Sequence, residues 1–387
     1  MSSPARVPLA PERPPGAAPR ALAPDLARGV MLLAIAFAHA PLFVLDPEHG
    51  STLANRIADA FQLLFVTNHA RPMFAFLFGY GMVQLLHRQA ERGQDPVAVR
   101  RLVRRRGWWL IVIGVLHAVV LIPLDILAAY GLAAVVLAGL LRRKDATLLW
   151  VAGVSFLGAT ALVGAAMGYV FTVDMPSMQV PLGATPWELV GDRLTGLPYG
   201  IVIGTIMVIP GVVIGMWAGR RRVLDEPERH RRFLTRAAVI TTVVSVAGAI
   251  PLVLIGTGLW TPSGATQWLA AFAQPLTGYP GGIGMAAIIA LVAIRVGRRP
   301  GRLTTAVTAL GQRSMSLYLF QSVAFMAVFA PYGLGLQDDL GTAGALGVAA
   351  VTWLVSLALA EAMRRAGYRG PAEVLLRRLS YRRSSAR

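Results

Sequence analysis

The chain contains no cysteine, a single lysine (Lys144) and little charge for its length. Without cysteine it can form no disulfide, present no thiolate and bind no metal through sulfur. Charged residues make up 14% of its 387 positions, against about 25% in an ordinary soluble protein. No GxxxxGK[ST] loop is present, which excludes a P-loop nucleotide hydrolase, and no GxSxG elbow is present either. HExxH is missing and no two histidines stand four residues apart, so no metal ligands are assigned. No duplication is visible between the halves, which weighs against an inverted-repeat transporter. A short apolar segment with an A-x-A cleavage site does not precede the first long apolar run, so no removable signal is expected.

What the chain does have is apolar surface. Hydrophobic residues are 55% of it, the mean hydropathy is +0.59, and apolar runs of some twenty residues recur. These features predict an all-α, polytopic membrane protein. Ten spans are expected, near 26–45, 71–88, 107–124, 126–141, 147–171, 198–219, 236–257, 279–296, 314–332 and 343–363. A short extra helix is expected over 57–66, and residues 1–24, rich in Pro, Ala and Arg, read as a disordered tail. The membrane part divides into 25–222 and 223–387.

The net charge of +18 would suggest nucleic acid in a soluble protein, but here the basic residues sit in short loops between apolar spans. All except Arg56, Arg71 and Arg193 fall on alternate loops or the tails. The positive-inside rule then places both termini in the cytoplasm of a bacterial plasma membrane. Lipids are the expected partners, and nucleic acid is not. The opposite loops, 46–70, 172–197 and 258–278, carry Trp187, Trp260 and Trp268 and read as an interfacial belt or a lid. The C-terminal stretch 364–383 alternates Arg with apolar residues. It is expected to form an amphipathic helix with Val374, Leu375, Leu379 and Tyr381 on its apolar side.

Polar residues inside apolar spans are costly and mark candidate sites. In DLARGVMLLAIAFAHAP, 25–41, Arg28 and His39 are eleven residues apart. On a helix they share one face about 16 Å apart along the axis. In GVLHAVVLIPLDILAAYGL, 114–132, His117 precedes Asp125 by eight residues. A carboxylate accepting an imidazole N–H would fix its tautomer, though the sequence leaves open which histidine Asp125 meets, and the pair can equally be a polar staple. VTNHARPMFAFLFGYGM, 66–82, gathers Asn68, His69 and Arg71 at one span end. GQRSMSLYLFQS, 311–322, places Tyr318 and Gln321 inside the ninth span, where hydrogen bonding between helices is the plainer role.

The C-terminal third resembles the YeiB-like bacterial membrane family, marked by domain of unknown function 418. The resemblance rests on GQRSMSLYLFQS, on YGLGL at 332–336, and on RGPAEVLLRRLSYRR at 369–383, where Gly370, Pro371, Glu373, Arg377 and Tyr381 match the family's terminal string. Leu317 departs from it, since many members have Asn there. Arg28–Gly29, FLFGYG at 76–81 and the His117–Asp125–Tyr130 spacing extend the resemblance into the N-terminal half. That half also resembles multi-span acyltransferases of the bacterial envelope, in which an R-x10-H pair is catalytic; Arg28 and His39 have that spacing.

The resemblance implies acyl transfer, with no tightly bound cofactor. Acyl-CoA would be the donor, held by Arg28, and His39 the base, with His117 and Asp125 as further catalytic candidates. Asn68, His69, Arg71, Tyr130, Tyr318 and Gln321 would contact substrate. The acceptor would be an envelope glycan or lipid. A transporter or channel for a small molecule or lipid, and a non-catalytic envelope accessory protein, are the competing classes.

Overall fold

The computed structural model describes residues 21–123, 125–173, 179–180, 182–183, 185 and 187–381; the side chains of 171–173 are not among them. The expected tail therefore lies, up to residue 20, outside the described residues. Every regular element described is helical. In chain order these are α1 (Leu22–His39), α2 (Thr52–Phe61), α3 (Ala70–Ala90), α4 (Pro96–Val120), α5 (Leu127–Leu137), α6 (Asp145–Val173), α7 (Val190–Arg220), α8 (Arg231–Gly256), α9 (Gly264–Gly297), α10 (Arg302–Gly311), α11 (Ser314–Phe329), α12 (Thr342–Arg365) and α13 (Pro371–Ser380).

Six of them, α1, α6, α7, α8, α9 and α12, are long and apolar enough to cross a bilayer, which fits a multi-pass membrane protein. The remaining four segments read as spans are helical too, as α3, α4, α5 and α11. They fall short of that measure for visible reasons. Arg71 and Arg88 lie on α3, and α4 carries Arg104, Arg105 and Arg106 in its first half. The other two, α5 and α11, have only 11 and 16 residues.

Small residues set how the helices meet. A side chain at Gly79 would strike the carbonyl of Val212, and one at Gly215 that of Phe76, so α3 and α7 touch backbone to backbone. Without such bare surface, apolar helices in lipid have little reason to associate. Helix α1 is enclosed by α3, α9, α10 and α12, and its Gly29 carbonyl accepts from Trp353 Nε1 at 3.0 Å. Met31 and Leu32 of α1 pack in one core with Met73, Leu77 and Tyr80 of α3 and Leu310 of α10.

The basic loops collect at one end. Arg220 donates to the carbonyls of Leu140, Leu141 and Arg143 and pairs with Asp145 at 2.9 Å. Arg313 donates to the carbonyls of Ala309 and Tyr368. Leu22, Glu228 and Arg298 line a shared hollow.

Three readings need correction. Helix α9 begins at Gly264, so most of 258–278 is helix and not loop, with Pro275 and Pro280 inside it. Pro is tolerated within membrane helices because neighbours satisfy the carbonyls it frees. The 295–313 segment contains α10, whose buried Val307, Ala309 and Leu310 face the bundle. The terminal string does form a helix, but its buried side is Ala372, Leu376 and Ser380, while Leu375 and Tyr381 are exposed. Helix α13 lies against α4 and α11, and that packing selects the face.

Glu373 explains why α13 docks where it does. Its carboxylate accepts from the backbone N–H of Met315 at 2.8 Å and of Ser316 at 3.2 Å, and from the Ser316 hydroxyl. Ser316 Oγ in turn accepts from the Ala372 N–H at 3.0 Å. Two helix N-termini thus satisfy each other's free donors, and the carboxylate complements the α11 dipole. The turn before α13 is set by Gly367, at φ 72°. It closes α12 with Tyr368 N–H on the Met363 carbonyl at 2.8 Å, a left-handed cap that favours glycine. Glu373→Ala is expected to cost about 1–3 kcal/mol and to make the C-terminal helix protease-sensitive; limited proteolysis with a melting curve checks this.

Candidate functional site

Helices α1, α3, α4, α5, α10, α11 and α13 leave between them a cavity of about 330 Å³. Arg28, Arg88 and Arg106 line it, together with Gln84, Gln312 and the rings of Phe74, Phe78, Tyr130 and Tyr318. The arginines come from α1, α3 and α4. Arg28 is held by Asp25 at 3.1 Å, and Asp25, itself only 2% exposed, also accepts from Gln312 Nε2 at 3.2 Å. Gly81 keeps room for this guanidinium: a Cβ there would stand 3.0 Å from Arg28 Nη2. Among the described residues the only carboxylate lining the cavity, Glu373, is engaged on the α11 N-terminus. With Arg28 paired to Asp25, Arg88 and Arg106 leave the lining with excess positive charge, which attracts anions, and planar guanidinium forks suit phosphate.

Tyr318 forms part of the cavity wall and carries both buried-span histidines on its ring. The His117 centroid lies 5.2 Å from it and the His39 centroid 6.3 Å. These two imidazoles differ in their bonding. His117 Nδ1 meets Asp125 Oδ1 at 2.9 Å and Nε2 meets Ser322 Oγ at 2.8 Å. With Asp125 as the acceptor, Nδ1–H donates and Nε2 faces the serine hydroxyl. Asp125 Oδ2 also accepts from the Ala128 N–H at 2.6 Å and so caps α5. His39, the last residue of α1, has the Tyr318 contact and no hydrogen bond among the described residues.

Asn68, His69 and Arg71 lie in a different place, where α3 meets α7, α8 and α9. His69 Nδ1 donates to the Thr67 carbonyl at 2.8 Å and Nε2 meets Ser245 Oγ at 2.5 Å. Asn68 has φ 59° and donates to Gln274 Oε1 at 2.5 Å. Tyr130 stands between the two groups, its ring 4.9 Å from Phe74 and 5.0 Å from Phe78, and its hydroxyl donates to the Arg71 carbonyl at 3.3 Å. Gln321 donates to the Leu32 carbonyl at 3.3 Å and holds α11 to α1.

The structure therefore gathers His39, His117 and Asp125 around Tyr318, which shares the cavity wall with Arg28, and leaves Asn68, His69 and Arg71 apart, on the other side of Tyr130. Four contributors escape a reading of the sequence. Arg106 ends an Arg run that reads as a topology signal, Arg88 lies at the edge of another basic loop, and Ser322 and Gln274 have no spacing that ties them to His117 or Asn68.

Residues 218–383 match the profile of the family described as "Protein of unknown function (DUF418)". Across 342 residues the chain is 23% identical to the uncharacterized protein YxaH of Bacillus subtilis (strain 168), covering 82% of this chain and 80% of that protein. It is 24% identical over 395 residues to the uncharacterized protein YeiB of Escherichia coli (strain K12), covering 92% of this chain and 95% of that one. The YeiB-like resemblance carried by the terminal string is thereby borne out, and the relatives support a bacterial source.

Proposed function

We propose that this protein binds a phosphate-bearing acyl donor, acyl-CoA, in the basic cavity and transfers the acyl group to an envelope glycan or lipid hydroxyl. The observation that carries the reading is the cavity itself: Arg28, Arg88 and Arg106 at its mouth and walls, and Tyr318 in contact with both histidines. Phosphates would pair with the arginines, and the apolar wall of Phe74 and Phe78 would take the thioester arm. His39 is the group with unused hydrogen-bonding capacity, so it is assigned the base. It would take the proton of the acceptor hydroxyl as that oxygen attacks the thioester carbonyl, and the proton would pass to the departing CoA thiolate. His117, held by Asp125 and Ser322, would fix the Tyr318 wall.

In this reading ten helices cross the bacterial plasma membrane with both termini in the cytoplasm, and the cavity opens inward. Residues 25–222 supply Arg28, His39, His117 and Asp125, and residues 223–387 supply Tyr318 and Glu373. The absence of native cysteine makes the topology easy to test. Cysteines placed at 182 and 225 should react with a membrane-impermeant maleimide from opposite sides, and reaction of both from outside would contradict the orientation.

A transporter is the second reading, favoured by one observation: Tyr130 lies between the cavity and Arg71, as a partition between two stations would. Purified protein given radiolabelled acetyl-CoA separates the two. Label on lipid, glycan or protein supports transfer, whereas substrate uptake into liposomes with no labelled product supports transport. Arg28→Ala and Arg106→Ala should each weaken CoA binding by about 1.5–3 kcal/mol, the worth of one charge-assisted contact, as read by binding isotherms.

A further inference from the structure

Arg71 is a half-buried cation whose surroundings do not account for it. It sits in the first turn of α3. Nη2 donates to Asn68 Oδ1 at 3.0 Å, Nη1 approaches the thioether of Met207 at 2.8 Å, and Nε is shut off from solvent with no hydrogen-bond partner among the described residues. A thioether is a weak acceptor, and no described carboxylate pairs with Arg71. Three other arginines of the fold have oxygen acceptors. Arg193, whose Nε also lacks a partner among the described residues, donates to the Val119 carbonyl at the negative end of α4. Arg220 has three carbonyls and Asp145, and Arg313 has two carbonyls.

The neighbours of Arg71 are, in contrast, fully organised. Gln274 is wholly buried and its amide donates to the carbonyls of Leu63 and Thr67. That fixes its oxygen toward Asn68 Nδ2, which fixes the Asn68 oxygen toward Arg71. A satisfied amide chain that ends on an unsatisfied guanidinium is a preformed anion receptor, since a cation in an apolar layer is costly without a counter-charge.

We propose that Arg71, oriented by Asn68 and Gln274, anchors a second anion-binding site, separated from the basic cavity by Tyr130, which takes a phosphate group. That group can belong to a free phosphate or to a phospholipid head. The assignment does not depend on acyl transfer.

The test uses the full-length protein in neutral maltoside detergent. Its melting temperature is followed with inorganic phosphate, with dioctanoyl phosphatidylglycerol, and with uncharged dioctanoylglycerol as control. The wild type should gain several degrees with at least one phosphate probe and none with the control. A response to inorganic phosphate identifies a free-anion site, and a response to the phospholipid alone identifies a headgroup site. The Arg28→Gln/Arg106→Gln double variant, whose basic cavity has lost two of its phosphate contacts, should still show a gain, and adding Arg71→Gln to it should abolish that gain. No gain in the wild type with either probe overturns the proposal. So does the loss of all gain in the Arg28→Gln/Arg106→Gln variant, or a gain there that survives the addition of Arg71→Gln. If Arg71→Gln does not fold, Arg71→Lys keeps the charge and loses the fork, and should need about tenfold more probe for the same gain; an unchanged response in Arg71→Lys also overturns the proposal.

Discussion

His39→Ala is expected to lower acyl transfer by about 10²–10⁴-fold, the usual contribution of a general acid–base group, with little change in melting temperature. The separation follows from the bonding of the ring. His39 touches Tyr318 and makes no hydrogen bond among the described residues, so removing it leaves no buried donor or acceptor orphaned. Its position at the end of α1, where Pro41 already ends the regular helix in a 3₁₀ turn, also makes alanine locally acceptable. CoA affinity should stay near the wild-type value, because in the proposed reading the phosphates would pair with Arg28, eleven residues away along α1, and with Arg106 of α4. The measurements are acetyl transfer, CoA binding and melting temperature on one preparation. A well-folded His39→Ala protein with undiminished transfer would remove the catalytic assignment.

Asp125→Ala should show the reverse pattern, a loss of stability of about 3–5 kcal/mol, as expected when one partner of a buried pair is deleted. Asp125 is a junction. One oxygen accepts from His117 and the other caps α5 through Ala128, and both side chains of the pair are 2% exposed. Alanine strands His117 Nδ1–H and the helix donor together. An asparagine at this position has a single acceptor oxygen and can serve one of the two, so Asp125→Asn should fall between wild type and Asp125→Ala. Melting curves in detergent give the order directly. Equal stability in all three proteins would mean that the pair does not hold the α4–α5 hairpin.

Much of this fold is legible because lipid imposes simple rules. Apolar runs and alternating basic loops find every long helix, and the polar residues within the runs find His117 with Asp125. What escapes has a physical reason each time. Helix α10 is short, and its threonines 304, 305 and 308 give it a polar side, so it lacks the apolar run of a span; it is recognisable only by its fit against α1, where a side chain at Gly29 would meet the Val307 carbonyl. The first half of α9 contains Pro275 and Pro280, residues that read as breaks until neighbouring helices are present to satisfy the backbone. The buried face of α13 is not the apolar side of the tail, because burial there is decided by the docking of Glu373 on α11. Arg106 shows the limit for sites: three adjacent arginines look alike in sequence, and only the turn of α4 decides which one enters the cavity.

The most direct test of acyl-donor binding is a titration of acetyl-CoA into the purified wild type and into the Arg28→Gln/Arg106→Gln double variant, over a range of salt. Saturable binding to the wild type should weaken as salt rises, since exposed charge contacts are screened. The double variant should lose at least as much affinity as either single change removes, without a change in fold. Undetectable CoA binding by a folded wild-type protein, or equal binding by the double variant, would contradict the assignment.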